Sequence, residues 1–274
     1  FPTRRSSDLS HAVEIISEGY MNGRTVEELS LILHVSERHL RRVFMQELGF
    51  SPGKLAAWHR TVFAKRLLTE TPVSITEAAF MSGFGSVRQF NQLFREVYHA
   101  SPAELRGRKQ AKENIGLLFI EYEDGFDFRK CLDEISLRCI PGIDAVTAEQ
   151  YMRTFRINGT EGYVIVSDEP ANHRLRLFID ADSKNCCLAV YHKVRRMFDI
   201  GTDWEDIRNE LGTEKFEGYL ARHEVPRLLL WFDPYECVHY SVIRQEKTHE
   251  QTVEILERYA IKEIIRFAKR KNRQ

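Results

Sequence analysis

The sequence has no long apolar run, no glycine-rich phosphate loop and few cysteines, and each absence narrows the possible functions. No apolar stretch approaches the roughly 20 residues that a membrane-spanning helix needs, so we expect no membrane partner. The His-Glu-x-x-His and Gly-x-Ser-x-Gly patterns of zinc peptidases and serine hydrolases are missing. We therefore expect a protein of the cytoplasm without a cofactor.

The five cysteines also argue against a metal site. They are Cys131, Cys139, Cys186, Cys187 and Cys237, an odd number without metal-ligand spacing. The adjacent Cys186-Cys187 pair has poor geometry for a disulfide or for tetrahedral chelation. We expect reduced and buried thiols and no bound metal; a redox sensor is the alternative.

The formal charge is balanced over the 274 residues but is unevenly placed. Between Ser10 and Gln110 there are 13 Lys and Arg against 10 Asp and Glu, whereas from Ala111 onward there are 25 against 29. The N-terminal part is therefore the better candidate for a nucleic-acid partner. Because the excess is small, the local placement of arginines matters more than the bulk charge.

A tight turn followed by an amphipathic helix is predicted from Gly83 onward. Gly83 and Gly85 are both expected to permit the positive φ of a turn between two helices. Ser86 is expected to cap a helix whose apolar positions recur at helical spacing to Val97. Its outward side chains are Arg88, Gln89, Asn91, Gln92 and Arg95. Such donors and acceptors suit base edges in the major groove; an ordinary amphipathic surface helix is the alternative.

A second copy of this pattern lies fifty residues earlier. Ser36 falls on Ser86, and Ser51-Pro52 falls on Ser101-Pro102. The outward side chains of this copy that we expect to contact DNA are Arg38, His39, Arg41 and Arg42. Two DNA-reading helices are therefore predicted.

Each predicted DNA-reading helix is preceded by a short helix with a capping box. Thr25 with Glu28 begins the first, from Val26 to Leu33, and Ser74 with Glu77 begins the second, from Ile75 to Met81. A long helix over Lys54 to Thr69 is expected to connect the two units. Two such units would read sites about 10 base pairs apart, so a monomer would suffice.

The tandem arrangement, together with the string GFGSVRQFNQLFREVYHASPAEL, resembles the AraC/XylS type of DNA-binding domain. The resemblance covers roughly Ser10 to Arg106, and the sequence is similar to that of regulators of the adaptive alkylation response. It implies a transcriptional regulator whose partners are double-stranded DNA, contacted at two adjacent major-groove sites, and RNA polymerase.

The second half of the chain has strand-like segments between helical ones. The predicted strands are Ile115 to Tyr122, Tyr151 to Ile157, Tyr163 to Val166 and Arg174 to Ile179; the predicted helices are Phe128 to Cys139, Cys187 to Phe198 and Trp204 to Leu211. This order predicts an antiparallel sheet with helices on one face, and so an α+β, multidomain chain.

Several segments of this half resemble the N-terminal domain of AlkA-type alkylbase DNA glycosylases. They include Ile140-Pro141-Gly142-Ile143-Asp144 and Phe232-Asp233-Pro234-Tyr235-Glu236. The resemblance implies a small sheet domain, similar to the TATA-binding protein, that is accessory to a later helical domain. In that family the later domain carries a Leu-Pro-Gly-[Ile/Val]-Gly hairpin, which binds the phosphate backbone, and a downstream Asp that supports base excision.

Neither catalytic element is found in this sequence. Ile140-Pro141-Gly142-Ile143 lies before the strands, where a turn is the better interpretation, and no Asp follows Asp233, which is expected to cap a helix. We therefore assign no catalytic residue and expect no base excision. The alternative is a fragment of a bifunctional regulator and DNA-3-methyladenine glycosylase II whose catalytic part is missing. A weaker alternative treats the sheet domain as an effector sensor.

The domain boundaries follow from these patterns. We expect a sequencing-adapter scar or disordered tail at 1–9, the tandem helix-turn-helix domain at 10–106, a linker at 107–113, the glycosylase-like sheet domain at 114–231 and the start of a truncated helical domain at 232–274.

Overall fold

The structure of the protein is a computed structural model that describes residues 4–106, 117–202 and 227–271, together with Ile207. The first helices are α1 (Arg4–Ser17), α2 (Val26–Ile32), α3 (Glu37–Glu47), α4 (Pro52–Glu70), α5 (Ile75–Met81), α6 (Val87–Tyr98) and α7 (Pro102–Arg106). The following elements are β1 (Leu117–Glu121), α8 (Phe128–Ser136), β2 (Asp144–Val146), β3 (Gln150–Ile157), β4 (Thr160–Glu169), β5 (Arg174–Ala181), α9 (Cys187–Met197), α10 (Pro234–Arg244) and α11 (His249–Lys271). The α+β fold class is thus confirmed.

Both predicted capping boxes are formed. Thr25 Oγ1 accepts from the Glu28 amide at 3.2 Å, and the Glu28 carboxylate accepts from the Thr25 amide at 2.7 Å. Ser74 and Glu77 make the same reciprocal pair at 3.0 and 2.9 Å. Each box satisfies two amide groups that have no partner inside the helix, and therefore fixes where α2 and α5 begin.

The first helix includes part of the segment 1–9, since α1 starts at Arg4. Leu9, Ala12 and Ile16 share one face of this helix and pack into the core of the helical half. The origin of these first residues as a sequencing scar stays a prediction.

The sheet has five strands in the order β1-β5-β4-β3-β2. β2 pairs antiparallel with β3, with Asp144 opposite Arg153 and Val146 opposite Tyr151. β2 was not predicted, because three residues are too few for a period-two pattern. Along β5, Leu175, Leu177 and Ile179 are buried while the residues between them are exposed, as expected for a sheet with one packed face.

Two predicted turns are confirmed. Asn158 and Gly159 join β3 to β4 with φ of 51° and 77°, the left-handed backbone that a two-residue hairpin turn requires. Ile140 to Ile143 is also a turn, closed by a hydrogen bond from the Ile143 amide to the Ile140 carbonyl at 3.0 Å. The predicted capping role of Asp233 is confirmed as well, since its carboxylate accepts from the Tyr235 amide at 2.9 Å.

Other predictions need adjustment or fall outside the described residues. The last helix runs from His249 to Lys271. All five cysteines are free, but Cys139 and Cys237 are half-buried rather than buried. Burial raises the pKa of the Cys131 thiol to about 12, which makes that thiol unreactive at neutral pH. The predicted linker 107–113 and, apart from Ile207, the helix Trp204–Leu211 lie outside the described residues.

The chain forms two compact units. The first comprises Phe1–Phe119, Thr154–Val166 and Arg176–His192; the second comprises Ile120–Arg153, Ser167–Leu175 and Lys193–Gln274. Within the described ranges, none of the helices is both long and apolar enough to cross a bilayer.

The second unit contains a buried ion pair that the sequence did not indicate. Arg153 occupies an inward position of β3, and its side chain is only 4% exposed. Its guanidinium donates to both carboxylate oxygens of Glu236 in α10, at 2.6 and 3.2 Å, and lies over the Phe232 ring. Burial raises the pKa of Glu236, whereas the charge of Arg153 opposes that rise. The pair therefore fastens the start of α10 to β3.

Replacing Glu236 by Gln should destabilise the protein, because the buried Arg153 charge would lose the carboxylate that pairs with it at 2.6 Å. We expect a loss of about 3 kcal/mol in the free energy of unfolding, measured by urea titration. The double variant Arg153→Met/Glu236→Leu, which removes both charges, should lose markedly less. Equal losses in the two variants would contradict this account.

Candidate nucleic-acid interface

Helix α6 is held in place by aromatic packing on its inner face. Ser86 caps it by accepting from the Gln89 amide at 3.2 Å. Phe90 and Phe94 are fully buried, and their ring centroids lie 5.3 Å apart. The Phe94 ring also packs against that of Tyr98, at a centroid distance of 4.9 Å. This inner face fixes the rotation of the helix and so decides which side chains point outward.

The predicted DNA-contacting side chains of α6 lie on its outer face. Arg88, Gln89, Gln92 and Arg95 are exposed, and Asn91 is half-buried. The Gln92 amide donates to the carboxylate of Glu96 at 3.0 Å. The helix therefore presents arginine and amide groups together, the two side-chain types that suit phosphates and base edges.

Helix α3 has the same two-faced arrangement. Its inner residues Leu40, Val43 and Phe44 are buried. Its outer residues are Arg38, Arg41 and Arg42, all exposed, and the half-buried His39. The Arg41 guanidinium lies 2.6 Å from the Glu37 carboxylate, and that of Arg42 lies 3.2 Å from His39 Nδ1.

Arg38 and Arg88 differ from these neighbours. They occupy equivalent positions of α3 and α6, each being the second residue of its helix and each exposed. Neither makes a hydrogen bond or an ion pair with any residue that the structure describes. A phosphate or base contact at Arg38 or Arg88 would therefore break no existing pair.

The turns before the two helices close in the same way. The Val35 amide donates to the Ser30 carbonyl at 3.0 Å, and the Phe84 amide donates to the Ala79 carbonyl at 3.1 Å. The residue in the left-handed region is His34 in the first turn, with φ of 53°, and Gly83 in the second, with φ of 83°. Each turn is thus the left-handed helix ending that satisfies the last carbonyls of α2 and α5.

The prediction for Gly85 is wrong. Only Gly83 has a positive φ, and the backbone of Gly85 does not need a glycine. The reason is the spacing of the repeat. The support helices and their turns are 49 residues apart, from Thr25 to Ser74, whereas the capping serines are 50 apart. Gly85 is the additional residue of the second copy.

Two residues that the sequence did not single out organise the second turn. Arg60 of α4 donates to the Gly83 carbonyl at 3.2 Å, and its guanidinium lies over the Phe84 ring. Asn22, between α1 and α2, is buried against Gly83, where an added Cβ would lie 2.5 Å from the Asn22 side chain. Neither role could be predicted from the sequence, because an isolated Arg or Asn in a helical region could equally well be exposed to solvent without a structural role.

The described residues contain no group of three or more His, Cys, Asp or Glu side chains that could hold a metal ion.

Comparison with known proteins assigns the two halves separately. Residues 29–108 match the family profile of the helix-turn-helix domain, and residues 117–228 match that of the AlkA N-terminal domain. The chain joins an AraC-type helix-turn-helix domain to an AlkA N-terminal domain. Both predicted resemblances are confirmed.

Two Mycobacterium tuberculosis proteins, each named a probable bifunctional transcriptional activator/DNA repair enzyme AlkA, are similar over both halves. They are 28% identical over 217 residues, which is 77% of this chain and 43% of the relative. The chain therefore spans less than half the length of these relatives. The regulator GbdR of Pseudomonas aeruginosa is 35% identical over 81 residues, 30% of this chain and 22% of the relative.

Among solved structures, a probable AraC family regulator from Rhodopseudomonas palustris is 28% identical, with a TM-score of 0.36. The likeness covers 38% of this chain and 99% of that one.

Replacing Gly83 by Ala should destabilise the helix-turn-helix domain, because Ala would meet Asn22 and would have to adopt a positive φ. We expect a loss of about 1–3 kcal/mol, read from the urea midpoint. Gly85→Ala is the matched control: the space around Gly85 is open, so its stability should stay within about 0.5 kcal/mol of the unaltered protein. Similar losses in both variants would refute the assignment of the turn.

Proposed function

We propose that this chain is a sequence-specific, double-stranded DNA-binding transcription regulator linked to the response to DNA alkylation. The observation that carries the proposal is the repeated arrangement of α3 and α6. Both are capped by a serine, packed through aromatic or aliphatic residues, and provided with an exposed, unpaired arginine at the same position. Each helix would enter the major groove of one of two adjacent sites.

The outward side chains divide into two roles under this proposal. The arginine side chains would neutralise phosphates and supply most of the affinity for DNA. The amide side chains of α6 would read base edges. The full proposed contact set is Arg38, His39, Arg41, Arg42, Arg88, Gln89, Asn91, Gln92 and Arg95. Asn91 is the least accessible of the set on α6.

The length of the connecting helix supports a monomer that reads two sites. α4 has 19 residues, so it extends about 28 Å, which is of the order of one turn of DNA. Two recognition helices on one chain would then contact two adjacent DNA sites, as the two subunits of a dimer do when each has a single helix-turn-helix. RNA polymerase as a partner, and a place in the cytoplasm, belong to the same proposal.

The link to alkylation rests on the second half of the chain. An AlkA N-terminal domain follows the DNA-binding domain, and the two M. tuberculosis relatives carry both a transcriptional activator and a DNA repair enzyme in their name. A regulator joined to a repair-type domain would couple gene control to the same class of damage.

Replacing Arg38 or Arg88 by Ala should weaken DNA binding and make it less dependent on salt. Each substitution should lower the slope of log affinity against log salt by about 1, because one fewer phosphate is neutralised. The measurement is fluorescence anisotropy on a duplex selected from a random library, at several salt concentrations. Arg129→Ala, which removes an exposed arginine from α8, is the control and should leave the slope unchanged. An unchanged slope in both recognition-helix variants would contradict the assignment.

A second candidate function follows from the same relatives. The chain would then be the regulatory part of a bifunctional regulator and alkylbase DNA glycosylase. The specific observation is that the AlkA N-terminal domain is present and that the two M. tuberculosis relatives are more than twice as long as the matched segment.

The two candidates share one expectation for the 274 residues themselves. Asp233 caps α10 and is the last Asp of the 274 residues, and these residues lack the Leu-Pro-Gly-[Ile/Val]-Gly hairpin of the glycosylase family. Incubation of the purified chain with alkylated DNA should therefore release no methylated purine, measured by chromatography of free bases. Release above the level of a heat-inactivated control would make the chain itself an enzyme.

A further inference from the structure

Three side chains of the AlkA N-terminal domain contact three different parts of the helix-turn-helix domain. They are Asn158 in the hairpin turn between β3 and β4, Lys184 in the short 3-10 turn before α9, and Tyr191 in α9. All three belong to the first compact unit, together with the helix-turn-helix domain.

Asn158 contacts the segment that leads into the first helix-turn-helix unit. Its Nδ2 donates to the Asn22 carbonyl at 3.1 Å, and its Oδ1 accepts from Arg24 Nε at 2.9 Å. The side chain of Asn22 in turn packs against Gly83 in the turn of the second unit. One residue of the hairpin thus binds the loop that precedes the first unit and packs against the turn of the second.

Tyr191 contacts the connecting helix. Its ring packs on Phe63 of α4 at a centroid distance of 5.2 Å, and its hydroxyl accepts a hydrogen bond from Arg66. Close by, an added Cβ at Gly19 would lie 3.2 Å from Leu188 of α9. The first turns of α9 therefore pack directly on the helical domain.

Lys184 contacts the second helix-turn-helix unit, formed by α5 and α6. Its ammonium group lies 2.6 Å from the Glu77 carboxylate, which also completes the capping box of α5. The equivalent box residue of the first unit, Glu28, makes only the box contacts among the described residues. Among the described residues, the capping-box glutamate of the second helix-turn-helix unit therefore makes an ion pair with the AlkA N-terminal domain, whereas that of the first unit does not.

We propose that the AlkA N-terminal domain fixes the placement of the two helix-turn-helix units relative to each other, and that Asn158, Lys184 and Tyr191 are positioning residues that set the spacing of the two DNA sites. The proposal rests on the proposed DNA-binding function. The three contacts reach the leading loop, the connecting helix and the second unit, so a relative rotation of the two units would have to break at least one of them.

Such contacts are needed because the connection between the two helix-turn-helix units can rotate. Only the segment from Thr71 to Ser74 separates α4 from α5, and a rotation there changes where α6 lies relative to α3. One base pair corresponds to about 34° of rotation around the DNA axis, so small rotations of a unit change the preferred spacing.

The test uses the full 274-residue chain with the triple substitution Asn158→Gly/Lys184→Met/Tyr191→Phe. Gly keeps the left-handed turn at residue 158, and Phe keeps the ring against Phe63, so only the bridging polar groups are removed. The control is Lys247→Met/Tyr163→Phe, which removes an ammonium group and a tyrosine hydroxyl elsewhere in the second half of the chain.

The first measurement is binding to a duplex selected by the unaltered chain from a random library, with one or two base pairs then inserted between the two footprinted contacts. Because the loss of one set of base contacts costs about an order of magnitude or more, the unaltered chain and the control should lose on the order of tenfold in affinity on insertion. The triple variant should lose at most about threefold. Its affinity for a duplex with a single contact site should be unchanged.

The second measurement needs no DNA. Spin labels on non-natural residues at Gln46 and Glu96, exposed and equivalent positions of α3 and α6, report the distance between the two helices. We expect one narrow distance distribution in the unaltered chain and the control, and a broad one in the triple variant. If the triple variant fails to fold by circular dichroism, Asn158→Asp replaces it, because Asp keeps the acceptor for Arg24 and loses the donor to Asn22.

The outcomes separate the two proposals. Failure of the unaltered chain to select any duplex would overturn the proposed function, and the distance distributions would then decide the positioning role alone. DNA selection followed by an unchanged insertion penalty and an unchanged distance distribution in the variant would overturn the positioning role and leave the DNA-binding function standing.

Discussion

The left-handed turn at Gly83 is the constraint on which the arrangement of the second helix-turn-helix unit depends. It sets the angle between α5 and α6, and three parts of the chain converge on it. Arg60 of the connecting helix donates to its carbonyl, Asn22 of the leading loop fills the space where a side chain would be, and Phe84 continues into the aromatic core of α6. A glycine at this position allows both the backbone conformation and the close approach.

The AlkA N-terminal domain extends this arrangement through Asn158, whose side chain binds the same loop that packs on Gly83. Residues of the AlkA N-terminal domain are thus in direct contact with the helix-turn-helix domain within the first compact unit. The buried ion pair of Arg153 and Glu236 has an analogous role in the second compact unit of the chain, where it joins β3 to α10. In both places a few polar side chains join elements that are far apart in sequence.

Much of the local structure could be predicted because its causes are local. The capping boxes, the serine caps of α3 and α6 and the hairpin turn at Asn158 involve residues no more than a few positions apart, so the pattern of side chains specifies them. The outward position of Arg88 also followed from helical periodicity. The prediction for Gly85 failed, because a glycine in a turn does not by itself say which residue needs the positive φ.

The sequence by itself determined the two-unit repeat, the α+β class and the identity of both domains, since these depend on periodicity, caps and family-specific strings. Only the tertiary structure decided that Arg38 and Arg88 have no partner among the described residues while Arg41 is paired with Glu37. It alone also showed that Arg153 is buried and that Asn158, Lys184 and Tyr191 contact the helical domain. The physical reason is distance along the chain: Lys184 lies 107 residues from Glu77, and no local pattern encodes which charges meet when the chain folds.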